Sequence, residues 1–119
     1  ILILGISYRD QVGDIRYSAS IELAKMFIEN NIIINTHDPM VEDSMPSELG
    51  FLKELPNPNN FKAIIFTVAH LYYKDLNLEN WLKDYTGLII DSNNVLEEKT
   101  VNQLNKMNLT LKIIGRGDI

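Results

Sequence analysis

The chain has 119 residues, 45% of them hydrophobic and 23% charged, and no cysteine, which is the size and balance of one globular domain spanning residues 1–119. A chain this long buries about two thirds of its unfolded surface without disulfide or metal staples, and the missing thiol excludes thiolate nucleophiles, CxxC redox pairs and zinc knuckles. Eleven basic against sixteen acidic residues, a net charge of −5, argue against a nucleic-acid-tracking or anionic-membrane surface, so any anion is bound locally.

Residues 1–6 are continuously apolar and predict a strand buried on both faces. Ser7, Tyr8, Arg9 and Asp10 end that run far short of the roughly 18 residues a membrane span requires, and no basic leader precedes it. The expectation is a cytoplasmic chain with no membrane partner. A start in mid-strand without an initiator Met reads as a segment of a longer protein. Residues 7–17 form a polar loop. Ser18 is placed as an N-cap, with Ile21, Ala24, Phe27 and Ile28 at helical spacing and Asn30-Asn31 ending the helix.

Ile32, Ile33 and Ile34 begin the expected second strand, which runs to about His37 and stops at Asp38-Pro39. Residues 40–60, with three prolines and several asparagines, read as a winding connection with one short helix near residues 47–54. Residues 62–68 and 87–91 are the third and fourth strands. A short helix over residues 78–85 separates them, with Trp81 and Leu82 facing the core. Glu97 and Glu98 suit a helix N-terminus, Val101, Leu104 and Met107 continue at helical spacing, and residues 109–114 close the sheet before Gly115-Arg116-Gly117.

This alternation predicts an α/β fold: a doubly wound, mainly parallel sheet of about five strands with helices on both faces, Rossmann-like but without GxGxxG. The ligand crevice of such a sheet lies at the carboxyl ends of its strands, here Ser7 to Arg9, His37-Asp38, Ala69-His70 and Asp91 to Asn94. The loop after the first strand brings two guanidinium groups, an aromatic ring and a helix N-terminus together, which suits a diphosphate. Two readings stay open for Arg16: it grips that anion, or it pairs with Asp14 or Asp10 on a solvated loop. Only Gly5 and Gly13 are present where the dinucleotide fingerprint needs three glycines, so Asp38 is expected to fix its turn rather than hold a ribose. His37 and His70 lack a third ligand at fixed spacing, so no metal is expected; both should hydrogen-bond to neighbouring loops, with His70 shaping the crevice. Phe66, Tyr72 and Trp81 are expected in the core rather than stacked on a base.

Five motifs in order resemble the C-terminal, UDP-sugar-binding domain of the UDP-glucose/GDP-mannose dehydrogenase family across essentially all 119 residues. They are Gly5, Tyr8 and Arg9 leading to Asp14, Arg16 and Ser18; Asp38-Pro39; Thr67-Val68-Ala69-His70 with Tyr73; Asp91-Ser92-Asn93-Asn94; and Ile114-Gly115-Arg116-Gly117. The resemblance implies that Tyr8, Arg9, Arg16 and Asn93 meet a nucleotide-diphosphate sugar, with Asp14, Ser18, Asp91 and Asn94 supporting them. Arg9 stands where the family carries Lys beside the sugar nucleotide. Asn93 stands where the family carries the Arg that contacts the diphosphate.

The implied parent is an NAD-dependent nucleotide-sugar 6-dehydrogenase that oxidises a primary alcohol to the uronate. Its NAD site and catalytic Cys would lie in N-terminal and central domains, and the full-length protein would be a homodimer. A second reading is a non-catalytic regulatory or assembly domain of the same fold, favoured by the loss of Arg at position 93. A receiver module is not supported, since Tyr8-Arg9 and Ala69-His70 do not supply its paired acids and phosphorylatable Asp.

Overall fold

In a computed structural model, which describes residues 1–42 and 45–114, six strands form one wholly parallel sheet. The chain runs β1 (Leu2–Leu4), α1 (Ala19–Glu29), β2 (Asn35–His37), a 3-10 turn (Ser47–Leu49), β3 (Phe51–Leu52) and a second 3-10 turn (Pro58–Asn60). It continues through β4 (Ala63–Phe66), α2 (Leu71–Asp75), α3 (Leu78–Trp81), β5 (Leu88–Asp91), α4 (Glu98–Lys106) and β6 (Thr110–Ile113). Strand order is β3-β2-β1-β4-β5-β6, so the winding reverses between β1 and β4. That reversal is where an open α/β sheet leaves a crevice at its carboxyl edge.

β1 lies at the middle and is buried on both faces, as its unbroken apolar run requires. Leu2 and Leu4 point into a core shared with Ile64, Phe66, Ile89, Leu82, Tyr73 and Leu104. Ile3 points the other way, to Ile6, Ala24, Ile34, Val41 and Leu49. All three β1 side chains are fully buried, and each such side chain contributes about 1.5–3 kcal/mol. Helices therefore cover both faces, α1 on one and α2, α3 and α4 on the other.

α1 starts as its sequence predicts, with Ser18 Oγ accepting from the Ile21 N–H. Its other end accounts for a misplaced strand. Asn31 adopts φ 61°, the Asn31 N–H donates to the Ile28 carbonyl, and the Ile32 N–H donates to the Phe27 carbonyl. This is a Schellman closure with Asn in the left-handed position. The closure consumes Ile32 and Ile33 in the helix exit, leaving Ile33 86% exposed, and β2 begins only at Asn35.

The sheet also has six strands rather than five. The extra one, β3, is only two residues long and pairs Thr36 with Phe51 and His37 with Leu52. It falls in the connection read as winding, and the short helix expected over residues 47–54 shrinks to one 3-10 turn. Among the described residues no helix is long and apolar enough to cross a membrane.

Candidate nucleotide-sugar site

Register sets the site. His37, Leu4, Phe66, Asp91 and Ile113 lie in one row across the sheet. One residue further along each chain stand Asp38, Gly5, Thr67 and Ser92, at the carboxyl edge. The ladder continues into this row: the Gly5 N–H donates to the His37 carbonyl at 2.8 Å, and those of Thr67 and Ser92 to Leu4 and Phe66 at 3.0 Å. Gly5 has φ +107°, and a Cβ built there would lie 2.6 Å from Val68 Cβ and 2.8 Å from Val68 N. Only glycine lets β1 turn away this close to β4.

Asp38 organises the reversal point. Its Oδ2 accepts from the Ile6 N–H at 2.8 Å, the Ser7 N–H at 2.9 Å and Ser7 Oγ at 3.0 Å, while Oδ1 accepts from the Met40 N–H at 2.8 Å. His70 Nε2 lies 3.0 Å from the same Oδ2 and 2.8 Å from Ser7 Oγ. Burial alone would push the Asp38 carboxyl up; the hydrogen bond from His70 and those from the Met40 and Ile6 amides outweigh it and hold it below its ordinary range.

Asp, His and Ser thus meet in a buried knot, yet they form no nucleophilic relay. One histidine nitrogen faces both partners, and Asp38, His70 and Ser7 are all shut off from solvent. The second histidine is paired with Tyr73, whose hydroxyl donates to the His37 carbonyl and lies 2.9 Å from His37 Nδ1. Burial raises the Tyr73 phenol far above its usual range, so it remains a donor. Burial also lowers the His37 imidazole, against the pull of Asp38. His70 bonds to neighbouring loops, as the sequence suggests, whereas the His37 ring bonds to Tyr73 of α2 instead, because the buried phenol lies against it. Among the described residues no three His, Asp or Glu side chains gather as metal ligands.

These residues do not fit a nicotinamide dinucleotide, although the strand order is the one such sheets use. The carboxylate that would hold a ribose is buried and spends both oxygens on Ile6, Ser7, Met40 and His70. The loop after β1 carries only Gly5 and Gly13, eight residues apart, where the diphosphate of a dinucleotide needs three glycines within six positions.

Across the crevice, Asp91 shapes the second loop. Its buried carboxylate accepts from the Asn93, Val95 and Leu96 N–H groups at 3.2, 2.9 and 2.8 Å. Asn94 takes φ 53° to complete the turn. The loop holds Asn93 over the end of β4, where its side-chain amide donates to the Thr67 carbonyl at 3.1 Å. Ala19, Ser20 and Leu23 of α1 face Thr67, Ser92 and Asn93 across a cleft of about 270 Å³. The cleft is uncharged, opens beside the positive end of an eleven-residue helix, and is small for a whole nucleotide sugar.

The expected site residues divide into two groups. Asn93 lines the cleft, Asp91 and Asn94 build the loop that carries it, and Ser18 caps the helix beside it. Tyr8, Arg9 and Arg16 stand outside its lining. Tyr8 and Arg9 are exposed on the turn after β1. Arg16 lines a different hollow with Ile21, Lys25 and Pro46, on the opposite face of α1.

In this structure Arg16 is paired with Asp14. Arg16 Nε and Nη2 donate to Asp14 at 3.1 and 2.7 Å, and the Arg16 N–H donates to Asp14 Oδ1 at 2.8 Å. These bonds hold the Asp14 carboxyl down at about 2 and raise the Arg16 guanidinium. The pair is solvated. Of the aromatics assigned to the core, Phe66 is buried and Trp81 is half-buried, its Nε1 donating to the Pro56 carbonyl. Tyr72 is not in the core: it is 41% exposed, because α2 presents Tyr73 inward and turns its neighbour to solvent beside His37. Gly115, Arg116 and Gly117 of the fifth motif lie outside the described residues.

Ser20 and Leu23 had no mark in the sequence beyond their place in α1. Thr67 and Ser92 carried a usable signal, a polar residue directly after an apolar strand.

An all-parallel sheet with this reversal and a cleft at its carboxyl edge defines a Rossmann-like α/β domain. The chain matches the UDP-glucose/GDP-mannose dehydrogenase family, UDP binding domain, over residues 2–98, and it belongs to that family. It is 29% identical over 83 residues to UDP-N-acetyl-D-glucosamine 6-dehydrogenase of Pseudomonas aeruginosa, which covers 67% of this chain and 19% of that protein.

Among solved structures, a UDP-D-ManNAc dehydrogenase from Pyrococcus horikoshii superposes with TM-score 0.68 at 26% identity, covering 99% of this chain and 26% of that one. The UDP-N-acetyl-mannosamine dehydrogenase of Staphylococcus aureus shares the fold at TM-score 0.66 and 19% identity, over 94% of this chain and 25% of that one. The chain spans about a fifth to a quarter of the length of these relatives.

Proposed function

We propose that this chain is the nucleotide-sugar-binding domain of a longer cytoplasmic, NAD-dependent nucleotide-sugar 6-dehydrogenase, which oxidises a sugar's primary alcohol to the carboxylate. The observation that carries the reading is membership of the UDP binding domain family over residues 2–98. The cleft between α1 and the Asp91–Asn94 turn, at the reversal of the sheet, agrees with it. NAD and the catalytic thiol belong to other domains of the parent, a homodimer when complete, and this chain closes over the nucleotide end of the substrate. Remote binding energy is thereby turned into position at the reacting carbon. Asn93 faces the nucleotide, Tyr8 and Arg9 line the sugar diphosphate, and Arg16 steadies the loop through Asp14.

Two relatives above a quarter identity are named for UDP-linked N-acetylhexosamines, so these are the first ligands to try. The assembly-only reading draws on two observations, the Asn93 amide tied to Thr67 and Arg16 already paired with Asp14, together with the cation that the family resemblance implies at position 93. Calorimetric titration of UDP, UDP-N-acetylglucosamine, UDP-glucose and GDP separates the two. Saturable binding of UDP and its sugars, weaker for GDP, is expected. Silence with all four ligands would make assembly the better reading.

A further inference from the structure

The turn that bears Tyr8 and Arg9 protrudes into solvent, and residues 8–11 are all exposed. Such a turn is a poor platform for a ligand unless something fixes it, because ordering it on binding is subtracted from affinity. One hydrogen bond inside the loop restrains its base, the Tyr8 N–H donating to the Asp14 carbonyl at 2.6 Å. The far end is restrained by Gln11.

The Gln11 N–H donates to His70 Nδ1 at 2.9 Å, and Gln11 Oε1 accepts from the Leu71 N–H at 2.8 Å. Gln11 thus spans some 60 residues of sequence to grip the start of α2 with both its backbone and its side chain. To do so it adopts φ 62°, a conformation unfavourable for a residue with a Cβ.

His70 is suited to receive it. Since Nδ1 accepts the Gln11 proton, the ring carries its own proton on Nε2, the nitrogen facing Asp38 and Ser7. One edge of the imidazole therefore belongs to the buried knot and the other to the exposed turn. The knot holds the ring rigid, and the ring holds the turn.

We propose that Gln11 is a positioning residue: by stapling the Tyr8–Arg9 turn to His70 and Leu71, it presets that turn for the nucleotide sugar. This role rests on the nucleotide-sugar reading above. It is separable from folding, because the Gln11 side chain is exposed and its removal opens no cavity in either core.

The test uses the whole chain with UDP as the probe. Gln11→Ala should melt within about 3 °C of the parent, as exposed substitutions do. The backbone order parameters of residues 8–11 should fall from about 0.85 toward 0.6. Affinity for UDP should drop roughly three- to tenfold, the effect of one lost hydrogen bond.

Two histidine variants dissect the ring. His70→Asn keeps an acceptor where Nδ1 was and should bind UDP like the parent while melting lower. His70→Gln keeps a donor where Nε2 was and should bind as weakly as Gln11→Ala. A parent that binds UDP and a Gln11→Ala chain that binds equally well overturn the positioning role alone, whatever the histidine variants do. A parent that binds no nucleotide overturns the nucleotide reading, and the role with it.

Discussion

The side-chain amide of Asn93 donates to the main-chain carbonyl of Thr67 at 3.1 Å, tying the loop after β5 to the end of β4 at the mouth of the cleft. A guanidinium at position 93 would give up that tie and reach into a space whose lining carries no charge. Asn93→Arg should therefore tighten UDP by tenfold to a hundredfold, the range of a hydrogen bond between charged groups. Calorimetry on the two chains measures this. Weaker binding by the variant would mean that the amide itself touches the nucleotide.

The two arginines of the first loop should behave differently. Arg9 is exposed beside Tyr8, whereas Arg16 is engaged by Asp14 on the other face of α1 from the cleft. Arg9→Ala should cost tenfold to a hundredfold in UDP affinity, on the same reasoning. Arg16→Ala should change it less than about twofold and leave the melting temperature nearly unmoved, as a solvated pair contributes little. Equal losses in both variants would require the loop to swing Arg16 across the helix N-terminus, and would refute the division of roles drawn here.

Much of this architecture was legible because it follows from local chemistry. The unbroken apolar run of β1, the Ser18 cap and the polar residues after each strand each dictate one structure. The failures came where tertiary geometry overrode pattern. Ile32 and Ile33 look like strand, but a Schellman closure around Asn31 had already claimed them. β3 is too short to have a period of its own and exists only because Thr36 and His37 offer an edge.

The site was legible by type and not by contact. Asp91 and Asp38 could be read as turn formers, whereas nothing in the sequence says that His70 shares its two nitrogens between Asp38 and Gln11. That Arg16 and Asn93 would fall on opposite faces of α1 depends on helix phase and loop path together.

Gly5 gives a stability test of the reversal point. Alanine there would carry a Cβ into Val68 at 2.6 Å while holding φ at +107°. Left-handed backbone costs a residue with a Cβ about 1–2 kcal/mol, and overpacking adds about 1–3 kcal/mol. Gly5→Ala should lower the melting temperature by on the order of 10–20 °C. A shift of a degree or two would mean that β1 and the Val68 segment separate easily.

Acid should unfold the chain in two stages, both of the same sign. His37 is buried and its folded pKa is lowered, so between that value and the unfolded value near 6.5 the unfolded chain binds more protons. Its contribution is therefore complete above about pH 6.5 and declines as pH falls below it. Asp38, also depressed, contributes fully above its unfolded value near 3.9 and loses that contribution as pH falls through its folded value. Melting temperature measured from pH 8 to pH 3 should fall gently below about 6.5 and more steeply below about 4. His37→Asn, which keeps an amide donor for Tyr73, should flatten the upper limb, and Asp38→Asn the lower. A melting temperature that rises between pH 8 and pH 6 would contradict the neutral, buried state of His37.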